Sequence, residues 1–213
     1  MANLLHIDCS IRQDGSVSRE VSAIFAERWR AANPGGGYTH RDLGKSPVPH
    51  LDEESLMATF LPPESWSETQ RAGWAITEPL LAELRAADTV LLAVPMYNYS
   101  IPSSLKAWMD RVTVKEHMVN EATGEGTLLV GKRAVVVTAR GGSYGPGTPR
   151  QDFDFQEPYL RALLSQIGLD KDLTFVHSEM TLAHSVPALE QFKELADTSR
   201  EQAVRTVREL AAR

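Results

Sequence analysis

Asn3-Leu4-Leu5-His6-Ile7-Asp8-Cys9-Ser10-Ile11-Arg12-Gln13-Asp14-Gly15-Ser16-Val17-Ser18 is the stretch on which the fold turns. Asn3 to Asp8 carries a short apolar run and reads as a strand. From Ser18 to about Ala32, Val21, Ile24, Phe25 and Trp29 recur at helical spacing, with Ser18 as the expected N-cap. Between strand and helix lies a loop of hydroxyls and glycine. Unpaired backbone N–H groups and the positive end of the helix dipole point into such a loop. Ser10, Ser16 and Ser18 can add donors, and Gly15 permits a tight bend. There is no Gly-x-Gly-x-x-Gly and no P-loop lysine, so the usual dinucleotide and triphosphate loops are excluded. The loop alone fits a terminal monophosphate, and it also fits a solvated Ser/Gly turn with an ordinary N-cap.

Outward from this stretch, short apolar runs alternate with amphipathic ones, the pattern of βαβ units and a parallel sheet. Asn33-Pro34-Gly35-Gly36-Gly37 closes the first helix, and Tyr38 to Leu43 reads as a second strand. Gly44 to about Pro63 carries four prolines and reads as a loop. A helix is predicted over Glu64 to Ala86, kinked or broken at Pro79. Thr89 to Val94 and Arg133 to Ala139 read as buried strands. A helix from Pro102 to about Val112 should bury Leu105, Trp108, Met109 and Val112. Phe155 to Ile167 reads as a helix packed through Phe155, Tyr159, Leu160, Leu163, Leu164 and Ile167, and ended by Gly168. Leu173 to His177 is the last strand. Pro187 to Arg213 is a long helix with Leu189, Phe192, Ala196, Ala203, Val207 and Leu210 inward. The result is five strands with helices on both faces, one domain over residues 1–213.

Composition narrows the function classes. A net charge of −6, with no cluster of Lys and Arg, argues against a nucleic-acid partner. One cysteine, Cys9, excludes an intramolecular disulfide and a cysteine-based metal site, and no metal is expected. Neither a signal peptide nor a membrane-span pattern is present, so a cytoplasmic protein without a membrane partner is expected.

A doubly wound sheet binds its ligand beyond the carboxyl ends of its strands, at the switch point. Two further loops lie at that edge. Pro95-Met96-Tyr97-Asn98-Tyr99-Ser100-Ile101-Pro102 is rich in aromatic and apolar residues, as a planar ligand requires and as a packed strand-to-helix corner also would be. Thr138-Ala139-Arg140-Gly141-Gly142-Ser143-Tyr144-Gly145-Pro146-Gly147 has adjacent glycines that let backbone approach a flat ring, and Arg140 could counter an anion. By itself this loop also fits a flexible glycine turn.

Together the three loops resemble the FMN-dependent NADH-azoreductases, flavodoxin-like NAD(P)H:quinone and azo-compound reductases. Ser10 to Ser18 matches that family's Ser-x5-Ser-x-Ser loop, and Pro95 to Lys106 resembles its Pro-Met-Tyr-Asn-Phe-x-Ile-Pro-x-x-Leu-Lys signature. Thr138 to Tyr144 is similar to its Thr-x-x-Gly-Gly loop. Asp42-Leu43 with Pro49 to Asp52, and Asp154 to Gln156 with Tyr159-Leu160, are weaker echoes. The resemblance implies a flavodoxin-like sheet of order 2-1-3-4-5, bound FMN, NADH or NADPH as co-substrate, and a small aromatic acceptor. It also implies a homodimer with active sites at the subunit interface, and ping-pong turnover. Ser10, Ser16, Val17 and Ser18 would hold the FMN phosphate. Pro95, Met96, Tyr97, Asn98 and Tyr99 would line the isoalloxazine and ribityl chain, and Thr138, Gly141, Gly142 and Tyr144 the ring's other edge. Three positions depart from the pattern: Val17 replaces a common Gln, Tyr99 replaces Phe, and Glu179-Met180 replaces Glu-Gly. The segment Thr113 to Gly126 replaces a Gly-x-Thr-Phe stretch that helps wall the family's substrate pocket.

The expected chemistry is hydride transfer from nicotinamide C4 to flavin N5 and on to the acceptor, with glycine-loop N–H groups steadying charge near N1. No dedicated acid or base is required; Tyr97, Tyr144, Arg140 and His117 are the candidates for substrate stacking or proton supply. His6 reads as a buried strand residue, His40, His50, His177 and His184 show no metal spacing, and Cys9 reads as a small buried thiol. Trp66, Trp74 and Trp108 read as core or dimer contacts. Three alternatives remain: a flavodoxin-type electron carrier, a biosynthetic reductase for an aromatic or nitrogen–nitrogen-bonded metabolite, and a phosphate-ester hydrolase.

Overall fold

Thr89–Pro95 (β3) is buried at every position and forms the centre of the molecule. The computed structural model, which describes residues 1–114 and 129–213, surrounds it with Asn3–Asp8 (β1), Gly37–Asp42 (β2), Arg133–Ala139 (β4) and Asp172–Ser178 (β5). All four pairings are parallel, and the order is β2-β1-β3-β4-β5. This is the flavodoxin-like order expected from the resemblance.

Alternation along the strands sends successive side chains to opposite faces. Leu5, Ile7, Leu92 and Val136 face one core, closed by Leu80 and Leu84 of Glu68–Ala86 (α3), Trp108 of Ser103–Val112 (α4) and Leu160 of Glu157–Gln166 (α5). Leu4, Leu91, Val135 and Val137 face the other, closed by Val21, Phe25 and Trp29 of Val17–Ala32 (α1) and Val207 of Lys193–Leu210 (α6). Shortening one of these buried leucines to alanine costs about 2–5 kcal/mol. No helix among the described residues is long and apolar enough to cross a membrane.

Several boundaries differ from the sequence reading. The predicted loop over Gly44 to Pro63 contains a helix, Glu53–Ala58 (α2), capped by the Asp52 side chain accepting from Ser55 N–H at 2.7 Å. Its prolines lie outside that helix. α3 starts at Glu68, because Ser67 and Gln70 form a reciprocal capping box, and it runs unbroken through Pro79. Pro79 is exposed, so water can reach the carbonyl it leaves unpaired. The N-cap of α1 is Ser16; Ser18 lies one residue inside the helix and is buried. The last predicted helix begins with a 3₁₀ turn, Pro187–Phe192, before α6. Phe192 and Phe155 are exposed rather than packed inward, at 38% and 58%. His117 and residues 115–126 of the divergent segment lie outside the described residues.

Candidate active site

The carboxyl ends of β1, β3 and β4 open on a cavity of about 320 Å³, within the size range of small-molecule sites. Ser10, Gly15, Ser16 and Val17 line it from the first loop, Pro95, Met96 and Tyr97 from the second, and Ala139 and Gly141 from the third. The three loops singled out in the sequence therefore converge. Arg12, Thr181, Leu182 and Ser185 also line it, and sequence reasoning missed them. Arg12 belongs to the first loop, where the hydroxyl residues carry the ligand signal. The segment after β5 had no ligand-binding pattern of its own; it arrives through the Thr181 N–H, which donates to the Arg140 carbonyl at 3.0 Å.

At the Ser10 end the site is a ring of donors. The first backbone bond of α1 runs from Glu20 N–H to Ser16 C=O at 3.0 Å. The N–H groups of Val17, Ser18 and Arg19 precede that bond, so the helix supplies them no acceptor. Ser16 makes no side-chain capping bond, which leaves its hydroxyl to the cavity, 3.4 Å from the Ser18 hydroxyl. Ser18 itself is buried in the first turn and does not line the cavity.

Tyr97 joins two of the loops. Its hydroxyl accepts from Ile11 N–H at 3.2 Å and lies 3.4 Å from Ser10 Oγ. The turn beyond it is closed by Tyr97 N–H to Ser100 C=O and Ser100 N–H to Tyr97 C=O, each 3.0 Å. Asn98 and Tyr99 both have positive φ, 49° and 68°. Such a turn usually holds Asn-Gly, and a tyrosine there carries backbone strain. Both side chains point outside the cavity lining. Tyr99 instead meets Tyr144 edge-on at 6.3 Å and Phe153 at 5.5 Å.

The glycine loop is pinned from behind. A Cβ at Gly141 would come within 2.7 Å of the Leu182 side chain, so the loop after β5 packs closely on the bare Gly141 backbone. Glu179 accepts from Tyr144 N–H at 2.9 Å and from the Ser143 hydroxyl at 2.5 Å. Met180, in the place of the family's glycine, sits at φ 55° and is buried. Thr138 does not reach the cavity: its hydroxyl lies 2.8 Å from His177 Nδ1. Burial, and then the Arg140 charge, push the His177 pKa down. The imidazole is thus neutral near pH 7, accepting from Thr138 and donating from Nε2 to Glu157 at 2.9 Å.

Arg140, Gly142 and Tyr144 also lie off the cavity lining. Arg140 is 1% exposed, with its guanidinium 3.0 Å from Asp154, 3.6 Å from Glu179 and 3.7 Å from Glu157. It faces a separate groove of about 810 Å³ between α5, β5 and α6, which Tyr144 also lines. Four carboxylates line that groove, and it lies past β5 rather than at the switch point. An arginine so surrounded is already neutralised and is no counter-ion for an anion in the smaller cavity; this corrects the role read from sequence.

Behind the first loop, His6, Asp8 and His40 bring ligand-type atoms within 4.8 Å of one another. Each is already engaged: His6 Nε2 with Ser22 Oγ at 3.0 Å, Asp8 Oδ1 with Ser22 Oγ at 3.4 Å, and His40 Nε2 with Asp8 Oδ2 at 2.9 Å. Burial opposes ionisation of Asp8, but hydrogen bonds from His40 and His6 and the Arg19 charge hold its carboxyl well below the usual range. The group is a charge network at the ends of β1 and β2. Cys9 is buried beside it, and burial pushes its thiol pKa up, as a packed and unreactive thiol requires.

A doubly wound sheet with a cavity at its switch point defines the class: an α/β protein of the doubly wound type, open at its strand ends. A family model described as flavodoxin-like fold matches residues 2–204. The FMN-dependent NADH:quinone oxidoreductase of Frankia casuarinae is 46% identical over 208 residues, 98% of each chain. That of Frankia alni is 43% identical over 212 residues, 100% of each. The chain therefore belongs to the flavodoxin-like fold family that includes these oxidoreductases. Among solved structures, an azoreductase from Bacillus anthracis str. Sterne has a TM-score of 0.84 at 20% identity, covering 100% of this chain and 99% of that one. An FMN-dependent NADH-azoreductase from Bacillus anthracis str. Ames Ancestor, solved in complex with FMN, has a TM-score of 0.81 at 23% identity, covering 99% and 100%. At these identities the likeness concerns the fold.

Proposed function

We propose that this protein is an FMN-dependent oxidoreductase that draws reducing equivalents from NADH or NADPH and delivers them to quinones or aromatic azo compounds. The observation that carries the reading is the cavity itself, which joins a ring of hydroxyl and N–H donors to an apolar, glycine-floored end. The residues fit FMN. The α1 N-terminus and the Ser10 and Ser16 hydroxyls suit a phosphate dianion, because fixed N–H dipoles and O–H donors replace its water. Pro95, Met96 and the bare Gly141 backbone, which line the cavity, suit a flat ring.

FMN, when bound, supplies the acceptance and release of hydride. The protein supplies placement. Gly141 can offer its backbone N–H to a ring edge that gains negative charge. Tyr97 keeps the first two loops in register through Ile11. Tyr99 and Tyr144 meet edge-on outside the cavity lining and offer ring faces on which an aromatic acceptor could stack.

Exposed Tyr99, Phe153, Phe155 and Leu182 lie around these loops and make an apolar rim. That rim supports a homodimer whose second subunit completes the site. A chain of one domain with a single buried thiol suits the cytoplasm.

The purified protein is expected to be yellow, to release FMN by mass, and to oxidise NAD(P)H continuously when benzoquinone is added. A colourless protein that takes up no FMN overturns the reading. Reduction that stops after one equivalent identifies an electron carrier instead. Sedimentation velocity tests the dimer, and a monomer at working concentration removes it.

A further inference from the structure

Arg19 stands in the first turn of α1 but does not line the cavity; it works from the far side of the loop. Its Nη2 donates to the Ser10 carbonyl at 2.6 Å and to Asp42 Oδ1 at 2.6 Å. Its Nη1 donates to Asp42 Oδ2 at 2.8 Å and to Asp8 Oδ2 at 3.2 Å. Asp8 and Asp42 are register partners at the last positions of β1 and β2. One guanidinium thus ties two strand ends to the backbone of the loop between β1 and α1.

The Ser10 carbonyl is held from a second side. A Cβ on Gly44 would fall 1.9 Å from that oxygen. Gly44 is placed by its own N–H, which donates to Asp42 Oδ1 at 3.0 Å. Because the peptide unit is planar and trans, the carbonyl of Ser10 and the N–H of Ile11 point in opposite directions. Clamping the carbonyl backward therefore turns the Ile11 N–H forward, where it already meets the Tyr97 hydroxyl at 3.2 Å.

Charge adds a second effect. The Asp42 hydrogen bond holds the Arg19 guanidinium firmly cationic. Without it, the Asp42 carboxylate would lose its cation and Asp8 would keep only its His6 and His40 partners, leaving negative charge behind the loop to repel an incoming phosphate.

We infer that Arg19 is a positioning residue that makes the cavity prefer a phosphorylated flavin over an unphosphorylated one. It does so by orienting the Ser10–Ile11 peptide and neutralising the carboxylates behind it. The inference rests on the phosphate lying at Ser10 to Ser18.

The test is titration of the flavin-stripped full-length chain with FMN and, separately, with riboflavin, followed by quenching of flavin fluorescence. The chains compared are wild type, Arg19→Gln, Arg19→Lys and Ser16→Ala. Loss of a charge-assisted bond predicts that Arg19→Gln raises the FMN Kd about tenfold or more and the riboflavin Kd by less than about threefold. Arg19→Lys keeps the charge and should recover part of the FMN preference, and it serves where the glutamine variant does not fold. Equal loss for both flavins would assign Arg19 a general structural role and overturn the inference. So would an unchanged FMN preference in both Arg19 variants while Ser16→Ala loses it, a result that leaves the phosphate placement standing. An unchanged preference in all three variants overturns the phosphate placement and the inference together.

Discussion

Two arginines, the half-buried Arg19 and the buried Arg140, each stand behind a ligand loop and face carboxylates, yet they do different work. Arg19 makes a close two-pronged bond to Asp42, at 2.6 and 2.8 Å, and spends another donor on the Ser10 carbonyl. Arg140 reaches one carboxylate at 3.0 Å and two others only at 3.6 and 3.7 Å, and its Nη2 has no hydrogen-bond partner among the described residues. The first geometry fixes a loop's backbone. The second is a charge placed to hold Asp154, Glu157 and Glu179 together in one acidic groove. Bonded distance and direction, rather than the presence of a cation, separate a positioning residue from a neutralising one.

The comparison can be broken most severely at Arg140. Replacing it with methionine leaves Asp154 and Glu179 without their cation and Glu157 with Arg161 alone of its two arginines. Removing one partner of a buried pair costs about 3–5 kcal/mol, and urea unfolding should show a loss of that size. A loss under about 1 kcal/mol would mean that water already screens the cluster.

Gly44→Ala attacks the Arg19 side through sterics alone. Its Cβ cannot coexist with the Ser10 carbonyl where that oxygen now lies. Overpacking of this kind costs about 1–3 kcal/mol. The variant should lose thermal stability and FMN together, and full FMN retention would show that the Ser10 carbonyl is free to turn.

Tyr97→Phe is milder. It removes the acceptor of Ile11 N–H, and a neutral hydrogen bond contributes about 0.5–1.5 kcal/mol. The FMN Kd should rise about two- to tenfold by fluorescence titration, with folding unchanged. An unaltered Kd would place the two loops' register elsewhere.

The smallest effect concerns His40. Its bond to Asp8 raises its pKa above the ordinary histidine value. A raised folded pKa stabilises the fold below the unfolded pKa, and the benefit fades as pH rises through the folded one. Melting temperatures of wild type and His40→Gln should therefore differ in weakly acid buffer and converge above the His40 pKa. A gap that widens with rising pH would reverse the assignment. No such fading is expected on the Arg140 side. There His177 has a lowered pKa, which contributes stability above its unfolded pKa and loses it as pH falls.

The sheet was legible because apolar runs and helical periodicity repeat from Asn3 to Leu210, and the three ligand loops follow from strand ends alone. The loop over Gly44 to Pro63 was misread because its prolines masked Asp52-Glu53-Glu54, a capping residue followed by first-turn acids. Phe155 fits an amphipathic stripe, yet the helix starts two residues later and leaves it on the rim. Leu182 and Ser185 carry no local signal for a ligand; they border the cavity only because β5 delivers them beside Gly141.

By itself the sequence determined the alternation of strands and helices, the strand ends at which a ligand must sit, and the hydroxyl and glycine chemistry of the loops there. These are local properties, set by periodicity and by the residue types that tight turns tolerate. Only the tertiary structure decided which arginine holds a loop and which holds a groove. Arg19 meets Asp42 across 23 residues and Arg140 meets Glu179 across 39, through parallel pairing and crossovers that no local pattern records. The direction of a guanidinium depends on where its partners arrive, and those partners come from other strands.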